Sequence, residues 1–193
     1  GGTELWRAVY NEFSNSDDYT STMALDSAGN VYLCGAKNDS LVLLVKYNNF
    51  GNVVWGYDFN TKSTHLNVSK IGINIYGDVY ITGYGTYAGT RENVITMKVD
   101  STGKLVWVDT FNSRYNKWDC SLGLALCPNG IIVTGYSEVS ILYDALTFKY
   151  SPDGELLWMK RFGNPGTGES GYVVKTDNEG NIFVAGEKGD GSV

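Results

Sequence analysis

Six residues of this chain stand outside its repeating pattern and carry groups suited to recognition or reaction: Asp17, His65, Tyr87, Arg91, Tyr115 and Trp118. Aromatic rings beside a carboxylate and an arginine suit a sugar. A ring stacks on the apolar face of the sugar, and the polar groups take its hydroxyls. The same set suits a protein partner, because Trp, Tyr and Arg dominate interface hot spots. Trp118 also has a plainer reading, as packing between a loop and a neighbouring unit. Catalysis has less to work with. His65 is the single histidine, so a serine triad would need it, and the chain has no Gly-x-Ser-x-Gly elbow. A polysaccharide lyase or glycoside hydrolase would need carboxylates at a set separation, which residue order alone leaves open. The run Asn15-Ser16-Asp17-Asp18 is acidic but lacks the ligand spacing of a calcium loop. No cofactor or metal site is expected.

These residues must be held by something, and the rest of the chain repeats. Trp6, Trp55, Trp107 and Trp158 are separated by 49, 52 and 51 residues. A second phrase keeps the same interval: GNVYLCG (29–35), GDVYITG (77–83), NGIIVTG (129–135) and GNIFVAG (180–186). Self-similarity at a fixed period is the mark of a repeat architecture. Within each period the segments are short, β-branched or aromatic, and separated by turn residues, which identifies strands. In the third unit they are SLGLALC (121–127), IIVTG (131–135), ALTFKY (145–150) and ELLWMKRF (155–162). No segment sustains a helical period.

The turns have a mechanism. DSAGN (26–30), NIYGD (74–78) and DNEGN (177–181) place Asp or Asn first and glycine fourth. The Asx side chain bonds the backbone two residues on, and Gly29, Gly77 and Gly180 supply the positive φ. NNFGN (48–52), DSTGK (100–104) and SPDGE (151–155) follow the same plan. Each unit is thus a meander of four antiparallel strands. Four strands in about 50 residues make a β-propeller blade. The expected fold is an all-β propeller over 1–193, with three full blades and partial ones. The units span about 16–62, 64–114, 117–165 and 168–193, with 4–11 an outermost strand of a preceding or closing blade.

Position within the unit assigns roles. Ala24, Gly72, Gly123 and Ala125 are small and belong on the inner strand, where blades converge. Trp6, Trp55, Trp107 and Trp158 belong on the outer strand, as rings filling the wedge between blades. Lys46, Lys98 and Lys149 share one slot on the third strand and read as exposed. Asp18, Asp119 and Glu169 share another and read as caps of a loop or strand start. The tight glycine turns fall on one face of such a meander. The longer, more varied loops fall on the other, here called the upper face, and binding residues concentrate on such loops. All six singled-out residues lie there.

The unit DALTFKYSPDGELLWMKRFG, continued by GYVVKTDNEGNIFVAG, resembles the bacterial and archaeal β-propeller repeat family called SBBP. The resemblance covers essentially the whole chain through its Gly-x-x-x-Trp and Gly-Asn-x-Tyr-Val-x-Gly elements. It implies a propeller that is secreted or displayed at the cell surface, and no particular activity. The Gly-x-x-x-Trp element is also similar to the tryptophan-docking repeat of quinoprotein dehydrogenases. Departures are local: Asn74 replaces the turn Asp, and the third unit has Cys127-Pro128 and one residue fewer. The leading expectation is a binding or structural module for a glycan or protein partner. A lyase or hydrolase with its site at the upper channel mouth is the first alternative, and a quinoprotein-like dehydrogenase fragment is the second.

Composition narrows the partners. A net charge of −6 with scattered basic residues argues against nucleic acid, since phosphate binding needs clustered Lys and Arg. No apolar run is long enough for membrane insertion. Cys120 and Cys127 fall on one strand, too far apart to bridge, and Cys34 stands alone, so buried free thiols are expected. The strand count leaves open blade edges at both ends. Exposed edges invite pairing, so a longer ring or self-association is expected.

Overall fold

The computed structural model describes residues 2–10 and 18–189. No helix forms among the described residues. The first sheet contains β1 (Asp18–Leu25), β2 (Val31–Lys37), β3 (Leu41–Tyr47) and β4 (Val53–Asn60). The second contains β5 (His65–Ile73), β6 (Val79–Thr86), β7 (Glu92–Val99) and β8 (Leu105–Phe111). The third contains β9 (Asp119–Cys127), β10 (Gly130–Glu138), β11 (Tyr143–Tyr150) and β12 (Leu156–Phe162). A fourth sheet pairs β13 (Glu169–Thr176) with β14 (Ile182–Lys188). Each is an antiparallel meander in sequence order. The strand expected over 4–11 does not form: residues 2–10 have no regular structure, and Asn11 lies outside the described residues.

Asx turns close the hairpins. Asp26, Asn74 and Asp177 each accept backbone hydrogen bonds from residues two and four positions on. Gly29, Gly77 and Gly180 take φ of 78°, 81° and 84°. Asn48, Asp100 and Ser151 repeat the device between the third and fourth strands.

The phrase that ends each second strand has a steric cause. Opposite Gly35, Gly83, Gly135 and Gly186 the inner strand bulges, leaving Ser21, Ser69, Leu122 and Tyr172 as extra residues. A bulge bends its strand and brings its backbone out of register. The carbonyls of Tyr19, Asn67, Cys120 and Ser170 then lie 1.7, 2.1, 1.9 and 1.8 Å from where a Cβ on the facing glycine would sit. Only glycine fits.

A second bulge explains Gly-x-x-x-Trp. Val54, Val106 and Leu157 are extra residues on the outer strands, each just before the tryptophan. The extra residue re-aims the ring toward the following sheet. Trp107 stacks on Tyr150 with centroids 6.0 Å apart and planes at 23°, and its Nε1 donates to the Pro152 carbonyl at 3.1 Å. Trp6 takes the matching place on the first sheet, stacked on Tyr47 at 6.1 Å and 24°. Residues 6, 8 and 10 thus cover Val31, Leu43 and Val45 without joining the sheet.

Successive sheets pack side by side, inner strand to inner strand: β1 on β5, β5 on β9 and β9 on β13. The glycines of these strands permit the approach. Gly72 faces Leu124 and Leu126, and Gly123 faces the Tyr172 carbonyl. β2, β3, β6, β7 and β10 are covered on both faces, which explains near-continuous apolar runs such as LVLLV (41–45). One apolar cluster joins sheets one and two, another joins two and three, and a third joins three and four. Full burial of a Leu44 or Ile131 side chain stabilises by about 2 kcal/mol. A polar seam crosses the second junction. Thr82 donates to the Ser121 hydroxyl at 2.8 Å, and Ser121 donates to the Gly83 carbonyl at 2.6 Å. The stacking is consistent with a β-propeller.

Lys46, Lys98 and Lys149 are half-buried rather than exposed. Lys46 and Lys98 lie over the rings of Tyr32 and Tyr80 at 4.9 and 5.4 Å, because the neighbouring second-strand tyrosine offers each ammonium a ring face. The cysteines are free, Cys34 and Cys120 buried and Cys127 partly so. Burial pushes the Cys120 thiol up to about 12.

Candidate functional site

Two upper loops are tied together at the junction of sheets two and three. One follows β6 and carries Tyr87 to Arg91. The other follows β8 and carries Asn112 to Trp118. Asn116, at φ 52°, donates its side-chain amide to the Gly89 carbonyl at 3.1 Å. The second loop is anchored from below. Buried Asp119, at the start of β9, accepts the Ser113 amide at 2.6 Å. Glu169 does the same for the next loop, accepting from Asn164 and Thr167. These two carboxylates are loop caps.

The tied loops bring Arg91 over the Trp118 ring at 5.2 Å. Arg91 is exposed and Trp118 half-buried. Such a pair is worth about 0.5–1 kcal/mol at an exposed site. Tyr115 sits between two cations, Arg114 at 4.9 Å and Arg161 at 5.9 Å from its ring. Arg161 is held by Asp144 at 3.2 Å and Ser137 at 3.3 Å. Lys117 pairs with Glu138 at 2.8 Å. A shallow cleft of about 360 Å³ runs beside Tyr115, between Phe111, Met159 and Arg161.

His65 and Tyr87 take no part in these ring–cation contacts. His65 is exposed at the start of β5, and no hydrogen bond or ring contact engages its imidazole among the described residues. Tyr87 is half-buried and packs on the cluster joining sheets one and two. Among the described residues, its hydroxyl is a buried side-chain atom without a hydrogen-bond partner, as are Asn93 Oδ1, Ser113 Oγ and the second Asp119 oxygen, Oδ1. Asp17 lies outside the described residues.

A second cleft, of about 450 Å³, opens on the tight-turn face between sheets two and three. Ile75 and Tyr76 stand at its rim, 88% and 76% exposed. Lys98 and Asp78 pair across its wall at 2.9 Å. Partial burial works against the charge on Lys98, but the Asp78 carboxylate and the Tyr80 hydroxyl together outweigh it and raise the ammonium's pKa. Reading the chain by loop length passed over this cleft. Its signal was the turn itself: Ile75-Tyr76 stand where the sister turns carry Ser27-Ala28 and Asn178-Glu179.

Among the described residues, no three His, Cys, Asp or Glu side chains gather as a metal site. No family model matches the chain, and no curated protein matches it.

Proposed function

We propose that this chain is a β-propeller module, its sheets arranged as blades about one axis, that binds a glycan or a protein partner through the upper loops at the junction of blades two and three. The protein is secreted or displayed at the cell surface, as the resemblance to SBBP repeats implies. The observation that carries the reading is the Arg91–Trp118 pair on loops locked by Asn116. Aromatic faces and exposed cations held on rigid loops suit recognition at low entropic cost.

The carboxylates favour binding over hydrolysis. Asp119 and Glu169 cap loops, Glu138 pairs with Lys117, and Asp144 pairs with Arg161. None of the four is left to work opposite another as general acid and base.

Binding of the fluorescently labelled chain to a glycan array tests the proposal. The native chain and Lys104→Ala, on the tight-turn face, are expected to give the same signals. Arg91→Ala with Trp118→Ala should lose them by at least about tenfold, the equivalent of 1.4 kcal/mol. Glycan binding that survives in the double variant would overturn the assignment of the site. For a protein partner, a photo-cross-linker at Tyr115 should capture it and one at Lys104 should not.

A further inference from the structure

The three junctions inside the molecule share one template. At each, the inner strand of one sheet covers the second strand of the sheet before it. Ile71 and Ile73 lie against the cluster containing Tyr32. Leu124 and Leu126 lie against the cluster containing Tyr80. Val174 lies against Ile132. The covered residues Tyr32, Tyr80 and Ile132 are 0%, 2% and 0% exposed.

The first and last sheets carry the two halves of that template, each uncovered among the described residues. Register places Met23 and Leu25 on β1 in the positions of Ile71 and Ile73, and of Leu124 and Leu126. They are 55% and 61% exposed. Register places Phe183 on β14 in the position of Tyr32, Tyr80 and Ile132. It is 59% exposed. The leading end presents what a preceding sheet needs, and the trailing end presents what a following sheet needs.

We propose that two copies of this chain associate head to tail, β1 of one against the β13–β14 sheet of the other. The inference rests on the propeller reading. Its occupant follows from the repeat, since the surface that fits each end is the one the chain carries at its other end. Contacts of this heterologous kind close into a ring when the rotation allows. Two copies bring about eight sheets together, within the 4–8 blades usual for propellers. Trp6, Ala8 and Tyr10, already seated at the outer-strand position ahead of the first sheet, flank the same junction.

Light scattering on the purified chain, from micromolar to millimolar, tests this. The native chain should reach twice its 21.2 kDa mass. Met23→Lys and Phe183→Glu should each halve that mass with unchanged far-UV circular dichroism. Leu25→Lys repeats the test on the same face. Mixing Met23→Lys with Phe183→Glu should restore the dimer, because the pair has one native contact and one of opposite charge. A contact through a single self-complementary patch would resist one of the two substitutions, and that result overturns the proposal. So does a native chain that stays monomeric at every concentration. A monomer that still binds glycan through Arg91 and Trp118 would overturn the dimer alone and leave the binding module standing.

Discussion

Asp26 shapes a turn and responds to acid. One carboxylate oxygen accepts the amides of Ala28 and Asn30, and the other accepts from the Asn30 side chain and the Tyr32 hydroxyl. Partial burial works against its charge, but these hydrogen bonds outweigh it and hold its pKa below the ordinary value of 3.8. Thr102 lowers Asp100 in the same way, and Asn181 lowers Asp177. A carboxyl with a depressed folded pKa contributes stability above its unfolded pKa. That contribution is lost as pH falls through the folded value. Asn48 and Asn74 show that an amide shapes the same turn without a titrating charge. Replacing Asp26, Asp100 and Asp177 together with Asn should therefore keep the fold. Urea midpoints should fall slightly at neutral pH, and the further loss between about pH 4 and pH 2 should shrink. A triple variant as acid-sensitive as the native chain would show that other carboxyls govern the acid limb.

At the scale of the strand, the paired bulges set which way each side chain points. Gly83→Ala would bring a Cβ to 2.1 Å from the Asn67 carbonyl. The backbone must move, and the cost should reach about 3 kcal/mol, the upper range for overpacking. Gly168→Ala meets nothing closer than 3.7 Å and should stay within about 0.5 kcal/mol. Equal urea midpoints for the two variants would deny the bulge its role. The glycine, the tryptophan interval and the turns were legible in the sequence because each repeats for a steric reason that holds in every sheet. The slot shared by Lys46 and Lys98 was misjudged because burial there depends on a tyrosine from the neighbouring strand, which spacing along one strand does not reveal. The strand over 4–11 failed for a related cause. Its rings were placed well, since Trp6 docks as Trp107 does, but a strand also needs a ladder of backbone pairing, and residues 2–10 form no part of any described sheet. Within the candidate site, the aromatic and cationic residues were legible one by one. The Asn116 tether that gathers Arg91, Trp118 and Tyr115 was not, because it joins loops 27 residues apart.

Across the whole molecule, each sheet is joined to its neighbours and to little else. Stability in such an array is a sum of unit and nearest-neighbour contributions. Local opening should therefore start at the ends. Hydrogen exchange should be slowest in β6, β7 and β10, which are covered on both faces, and fastest in β14, whose side chains are mostly exposed. A single uniform exchange rate would mean that the sheets open as one unit. The docked tryptophans give this picture an optical form. Trp6 stands ahead of the first sheet, and Trp55, Trp107 and Trp158 mark the first, second and third junctions. Each indole is a fluorophore whose emission shifts to the red when water reaches it. With the other tryptophans replaced by phenylalanine, each remaining ring would report the melting of its own junction. The fold thus distributes one docked emitter to each junction and one to its leading face, with Trp118 as a fifth ring on the loops above the second junction.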